Sequence, residues 1–307
     1  MLVIKENFCR NFKEETFIAL GSFDGIHKGH IELINKTLEL AKEKKVKSMV
    51  FTFENHPLST INAEIMPKLL QSTEDKIKIL EEFNIDILNL AQFNNEFMQL
   101  SPEDFIKNLV THYNAKGIVV GFNYRFGYKN LGDVELLKKF GLKYGFEVHI
   151  VRAVTSEGEI VSSTKIRALI ASGELSKARE FLTRPYFIRG NVIKGRQIGR
   201  TIGFPTINLD YNKAFSLPLG GVYFTIVEYN NKDYKGITNI GFNPTVYGNK
   251  LSVETNIIDF NHDIYGSDVK IYFLERIRNE KCFESLEQLK SQLNKDTLYV
   301  SSKSIEI

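Results

Sequence analysis

The apolar pattern of this chain changes character once, and that change limits what it can fold into. Up to about residue 183, strand-like apolar runs at 16–20, 46–53, 85–90, 116–120 and 146–151 alternate with helical patterns near 28–44, 73–83, 102–112 and 132–144. Alternation of this kind builds a parallel sheet with helices on its faces. Two helix starts are legible. Ser72 precedes Asp75 by three residues, and Ser101 is followed by Pro102, Glu103 and Asp104, the pattern of a hydroxyl N-cap, in the second case with proline in the first turn. Residues 163–182 read as two short helices split at Gly173. After Arg184-Pro185 the texture becomes short strands with turns between them, at 186–193, 222–229, 234–240, 251–258 and 268–274. Helical spacing returns only at 283–294, through Phe283, Leu286, Leu289 and Leu293. That half predicts a small antiparallel barrel closed by one C-terminal helix. The expected domains are therefore 1–183 and 184–307, with a weakly patterned tail, 297–307, that should fray.

Ligands of an open parallel sheet sit beyond the carboxyl ends of its strands. The run Gly21-Ser22-Phe23-Asp24-Gly25-Ile26-His27-Lys28-Gly29-His30 lies there, after the apolar run 16–20 and before a helical pattern at Ile31, Leu33, Ile34 and Leu38. A glycine turn feeding a helix start exposes backbone N–H groups at a positive dipole end, and both favour phosphate. Histidines at i and i+3 share a helix face, so His27 and His30 could reach one anion. Metal ligation is the weakest reading, because no cysteine or suitably spaced glutamate completes a site. An ordinary surface or core pair is the plainer one, and the glycine setting argues against it. Gly21, Phe23, Asp24 and Gly29 are the candidate phosphate contacts.

Ser162-Ser163-Thr164-Lys165-Ile166-Arg167 puts three hydroxyls before a basic turn. Alone it reads first as a plain hydroxyl N-cap with solvated Lys165 and Arg167; the alternative is a second phosphate grip through Ser163, Thr164 and Arg167. Asn123 and Arg125, in Gly121–Gly127 after the run 116–120, belong either to a plain loop or to a substrate contact. His56, at the end of the run 46–53, is more commonly structural than catalytic in such a place.

The densest signature is Gly190 to Leu209. Its glycines, Gly195, Gly199 and Gly203 among them, let backbone approach a ligand, and Lys194, Arg196 and Arg200 add charge. No G-K-[ST] ends it, so it is not a Walker A loop. A flexible hairpin with solvated charges is the plainer alternative. Thr206 and Asn208, two apart, share a face of an extended segment, and two neutral oxygen donors there suit a hard cation shared with phosphates. Glu254, in the run 251–258, is either a solvated barrel residue or a general base.

Composition sets outer limits. The 307 residues carry a net charge of only +3, which makes no electrostatic case for nucleic acid or a membrane surface. No apolar run is long enough to span a bilayer, and charges break up residues 1–20 where a signal segment would be apolar. Cys9 and Cys282 form no ligand or disulfide pattern, as suits a reducing, cytoplasmic compartment.

Taken together, the stretches GSFDGIHKGH (21–30), FTFENHP (51–57), GFNYRFG (121–127) and SSTKIR (162–167) resemble the adenylyltransferase module of bacterial bifunctional FAD synthetases. The second half resembles their riboflavin kinase module in GRTIGFPTINL (199–209), PLGGVYF (218–224), NIGFNPTV (239–246), ETNIIDF (254–260) and DIYG (263–266), and in Phe273, Arg278, Phe283, Leu289 and Asp296. One departure is Asn256, where that family commonly has histidine. The resemblance implies a Rossmann-like nucleotidyltransferase domain followed by a β-barrel kinase. It implies substrates riboflavin, FMN and ATP, with Mg²⁺ held at Thr206 and Asn208. Glu254 would be the kinase base; Gly195, Arg200, Gly203 and Thr206 would hold ATP. His27, His30 and Arg167 would act in adenylyl transfer, with Asn123, Arg125 and His56 toward the flavin substrate. The oligomeric state stays open. Rival readings are a monofunctional nucleotidyltransferase with a degenerate barrel, and a flavin-binding carrier without turnover.

Overall fold

The computed structural model describes residues 1–195, 198–245 and 248–305, with only the backbone described at 63, 198, 200, 242–245 and 248–250. Packing divides the chain into two units, Met1–Pro67 with Gln71–Ser162, and Lys68–Leu70 with Ser163–Ile307.

The first unit is built on six strands, β1 (Leu2–Ile4), β2 (Thr16–Leu20), β3 (Lys47–Phe53), β4 (Ile87–Ala91), β5 (Ala115–Gly121) and β6 (Glu147–Val151). They lie in the order β1-β4-β3-β2-β5-β6, and every neighbouring pair is parallel. The helices are α1 (Lys28–Lys44), α2 (Pro57–Ile61), α3 (Thr73–Glu81), α4 (Asn95–Met98), α5 (Pro102–Tyr113) and α6 (Val134–Tyr144). All positions of β2 and β4 are buried, as central strands covered on both faces must be. Alternate residues feed two cores. Ile18, Leu20, Phe51 and Ile118 pack with Phe105, Leu109 and Leu137 of α5 and α6. Phe17, Ala19, Val50 and Val119 pack with Leu33, Ile34 and Leu80 of α1 and α3. Ser72 and Ser101 cap α3 and α5, their hydroxyls accepting from the amides of Asp75 and Asp104 at 3.0 and 3.1 Å. The chain runs outward from β2 through β3 to β4, then returns to place β5 on the other side of β2. The strand order therefore reverses between β2 and β5, where open α/β sheets form their ligand crevice. A two-stranded hairpin, β7 (Thr155–Ser156) and β8 (Glu159–Ile160), ends the unit.

In the second unit, α7 (Ser163–Ser172) and α8 (Leu175–Phe181) precede a closed barrel. Its strands are β9 (Phe187–Ile193), β10 (Thr206–Tyr211), β11 (Gly221–Tyr229), β12 (Lys232–Thr245), β13 (Gly248–Ile257) and β14 (Asp268–Arg278), in the order β10-β13-β12-β11-β14-β9, with β9 and β10 closing the ring. All pairings are antiparallel. Hydroxyls of Thr225, Thr238 and Thr255 form a buried chain, each link 2.8 Å, across three strands, so the polar atoms of the interior satisfy one another. A four-residue helix, α9 (Ile198–Thr201), lies in the β9–β10 connection. The C-terminal α10 (Leu286–Ser301) buries Val300 against Phe224, Ile226 and Ile237.

The two fold classes read from the sequence are those observed. Several details differ. β1, the β7–β8 hairpin and the short helices α2, α4 and α9 were not anticipated, β10 was expected only as an extended segment at Thr206 and Asn208, and the tail expected to fray is helical as far as Ser301. Its anchor is Asp296, 3% exposed, which accepts from Arg278 Nη2 at 2.8 Å and from Gln292 Nε2 at 2.8 Å. A buried carboxylate so paired is costly to release.

Candidate functional site

In the first unit, β2 and its neighbours β3 and β5 end on one edge of the sheet, which brings together 21–30, 51–57 and 121–127. The amide of Gly21 still donates to Phe51 O, at 3.3 Å, and the chain then turns away through Phe23, a buried non-glycine residue at φ 48°. Such backbone is sparsely populated and is kept only where its surroundings fix it. Here three side chains do so. Thr52 Oγ1 and Lys76 Nζ donate to Ser22 O at 2.8 and 3.1 Å, and Gln71 Nε2 donates to Phe23 O at 2.8 Å.

His27 is the N-cap of α1. Its Nδ1 accepts from the His30 amide at 3.3 Å, so Nδ1 is unprotonated and a neutral ring carries its proton on Nε2. The two imidazoles stack, centroids 3.7 Å apart at 16°, and Phe23 packs on His30 at 5.0 Å. Both are buried, His27 at 6% and His30 at 9% exposure. A Cβ at Gly29 would stand 3.2 Å from the His27 ring, so the glycine leaves the ring its place. Burial, and then the charges of His27 and Lys76, push His30 well below the usual imidazole range, so its ring is neutral at neutral pH. Its Nδ1 is buried without a hydrogen-bond partner among the described residues.

His56 caps α2, its Nδ1 accepting from the Leu58 amide at 3.2 Å. Asn123 and Arg125 are exposed beyond β5, and Arg125 Nη1 lies 3.6 Å from Asp133 Oδ2. Ser163 and Thr164 are the first residues of α7, in the second unit, where Arg167 Nε donates to Lys68 O at 2.6 Å. The phosphate candidates Gly21, Phe23, Asp24 and Gly29 all lie on the turn or the first helical residues beyond it. Thr52, Gln71 and Lys76 escape sequence reasoning. Nothing separates Lys76 from the solvated lysines of any amphipathic helix.

In the second unit, β10 and β13 pair so that Thr206 stands opposite Asn256 and Asn208 opposite Glu254. On its other side Glu254 faces Asn239 of β12. Val253, Thr255 and Ile257 are buried while Glu254 and Asn256 are half-buried, so the polar row lies on the opposite face of the strand from these buried residues. Asn256 Nδ2 donates to Pro205 O at 2.7 Å and ties β13 to the residue before Thr206. Gly195 comes back over this face. A Cβ there would lie 2.1 Å from Asn208 Nδ2, so only glycine fits. Gly203 has φ +89°. The Arg200 backbone lies in α9; its side chain, and Arg196, are outside the described residues. Beside Thr206 opens a cavity of about 390 Å³ lined by Pro205, Phe260, His262, Asp263 and Tyr265 among others, and Lys194 Nζ stands 5.5 Å over the Tyr265 ring. Thr206 and Asn208 offer neutral oxygen donors, which fit a hard divalent cation held jointly with phosphates.

A backbone anion turn at the switch point of a parallel sheet, and a barrel face where a carboxylate meets oxygen donors beside a cavity, define a two-module nucleotide-dependent transferase. The comparisons agree. The FAD synthetase family matches residues 9–165 and the riboflavin kinase family residues 182–303. Bifunctional riboflavin kinase/FMN adenylyltransferases of Buchnera aphidicola (from Schizaphis graminum), Bacillus subtilis and Escherichia coli are 36%, 36% and 34% identical. The alignments cover 94%, 92% and 95% of this chain and 93%, 92% and 94% of those proteins. The chain belongs to the bifunctional riboflavin kinase/FMN adenylyltransferase family, with its FAD synthetase domain first and its flavokinase domain second. A solved Streptococcus pneumoniae structure described as a macrolide-efflux protein is also similar, with TM-score 0.89 and 33% identity over 99% of this chain and 100% of that one. Among the described residues of the present chain no helix is long and apolar enough to cross a membrane.

Proposed function

We propose that the barrel domain transfers the γ-phosphoryl group of ATP to the ribityl 5′-hydroxyl of riboflavin, and that the first domain then joins the resulting FMN to AMP from a second ATP. In the kinase step Glu254 takes the hydroxyl proton as the oxygen bonds to the γ-phosphorus and the bond to ADP breaks. The single observation that carries this reading is the register that sets Glu254 between Asn208 and Asn239. The cavity beside Thr206 would take the nucleoside end of ATP, with Gly195, Arg200 and Gly203 in the flap over its phosphates. Mg²⁺ would be held by Thr206 and Asn208, and would supply charge neutralisation on the transferring phosphates.

In the adenylyl step a phosphate oxygen of FMN attacks the α-phosphorus of ATP and pyrophosphate leaves. That nucleophile is already anionic, so the protein's part is in-line placement and stabilisation of charge. The orphan Nδ1 of His30 supports a ligand at that place, since a buried polar atom without a partner calls for one. His27, whose Nδ1 is committed to the cap, would donate from Nε2. Gly21, Phe23, Asp24 and Gly29 would contact phosphate, Ser163, Thr164 and Arg167 would add a second grip, and Asn123, Arg125 and His56 would face the substrate. The functional division is proposed at 183/184, and the working compartment as the cytoplasm. Purified protein given riboflavin and Mg-ATP should yield FMN and then FAD, followed by chromatography over time. Absence of both products refutes the assignment; FMN alone would leave only its kinase half.

A further inference from the structure

We propose that Lys76 is a positioning residue for adenylyl transfer, its ammonium gripping the carbonyls of Ser22 and Phe53 so that the Gly21–His30 turn and the end of β3 are locked as one anion-receiving edge. The proposal rests on the reading that ATP phosphates sit on that turn. Lys76 is buried on α3, and its Nζ lies 3.1 Å from Ser22 O and 3.2 Å from Phe53 O. Among the described residues its ammonium donates to two backbone carbonyls and to no carboxylate, so it is not there to neutralise a surface acid. It spends a buried charge on the position of two loops, against a substantial desolvation cost.

The geometry of the turn says what that position achieves. Ser22 O accepts from Lys76 and Thr52, and Phe23 O accepts from Gln71. Two successive carbonyls are thus drawn toward these side chains. A trans peptide points its N–H opposite to its C=O, so the amides of Phe23 and Asp24 are turned the other way. Successive amides presented together make an anion cradle. Among the described residues the groups that act electrostatically with Lys76 are Asp24 on the turn, whose carboxylate opposes the loss of its proton, and His30 on α1, which is neutral.

Burial pushes the Lys76 ammonium down to about 8 from its ordinary 10.5. Above that pH the amine keeps two donors but loses charge assistance, which roughly halves each bond. Proton linkage runs the other way for stability. The unfolded chain holds this proton up to 10.5 and the folded one only to about 8, so between those values this group makes the fold more stable as pH rises. Activity lost there is not unfolding driven by Lys76.

The test follows FMN-to-FAD conversion in the full chain from pH 6.5 to 9.5 for wild type, Lys76→Arg and Lys76→Met, with riboflavin phosphorylation in the same preparations as control. Lys76→Met should lower adenylylation kcat/KM roughly tenfold or more, the scale of losing a hydrogen bond from a charged group, with kinase turnover unchanged. Lys76→Arg should recover to within about threefold. The wild-type profile should fall through a midpoint near 8 that Lys76→Arg lacks. Phosphate oxygens do not titrate there, their second pKa being about 6. Adenylylation within twofold of wild type in Lys76→Met, or an inflection that Lys76→Arg shares, overturns the proposal. Should Lys76→Met not fold, the comparison of wild type with Lys76→Arg decides. A wild type that forms no FAD refutes the reading of the domain instead.

Discussion

Glu254 and Asn208 are register partners across β13 and β10, although 46 residues separate them in the chain, from 208 to 254. Glu254→Gln keeps the shape of the side chain and one acceptor oxygen, replaces the other oxygen with an NH₂ donor, and removes its basicity. FMN formation should fall by about 10²- to 10⁴-fold, the range of a lost general base, while FMN-to-FAD conversion continues. Loss of both activities in a protein that still melts cooperatively would contradict the division of labour.

Gly195 reports on the other partner. The Cβ of Gly195→Ala would need the space of Asn208 Nδ2, and Asn208 has too short a side chain to yield without leaving its place beside Glu254. Kinase turnover should drop on the order of 10²-fold, as for an ångström-scale misplacement at a reacting centre, with adenylylation as in wild type. Undiminished FMN production from this variant would remove Asn208 from the metal and phosphate site.

Asn256 bears on a residue type that differs from the family pattern. Its amide holds Pro205 O at 2.7 Å, a bond that a ring N–H of histidine can also make. Asn256→His should therefore keep the kinase within about threefold of wild type. Asn256→Ala should raise the KM for ATP several-fold with a smaller change in kcat, since it frees the segment bordering the cavity and leaves Glu254 alone; a neutral bond of this kind contributes about 1 kcal/mol. Titration of initial rate against ATP separates the two parameters. A fall in kcat alone would place Asn256 in the chemistry.

Much of this was legible in the residues, for physical reasons. The short, mainly apolar runs of β2 and β4, set between helical patterns, read as covered central strands, and the caps at Ser72 and Ser101 are local hydrogen bonds between residues three apart. β1 is three residues long and pairs with β4 at the sheet edge, too short for a period to show. β10 alternates properly and was read as extended at Thr206 and Asn208, but Pro205 at its start and the polar Thr206, Asn208 and Asp210 hid its extent as a strand. The tail looked weak because what holds it is the pair of Arg278 and Asp296, not an apolar stripe. Candidate site residues on the turn after β2 could be proposed from the sequence because the turn is contiguous. Lys76 could not, since its acceptors lie 54 and 23 residues away, on Ser22 and Phe53, and only the folded sheet brings them to it.

His30 combines chemistry and stability in one side chain. Its ring is held neutral, so adenylylation should show no inflection from it between pH 6.5 and 8. Stability responds differently. The folded ring takes its proton well below 6.5 whereas the unfolded chain takes it near 6.5, so the unfolded state binds more protons just under that pH. The stability linked to His30 is therefore complete above 6.5 and declines as pH falls below it. His30→Ala should flatten this acid sensitivity of the first domain, read as melting temperature between pH 7 and 5. It should also slow adenylylation by about 10²-fold, as when one donor to a developing charge is lost, with kinase turnover scarcely touched. Adenylylation at the wild-type rate would take His30 out of the mechanism, and an unaltered acid slope would mean that another group carries that linkage.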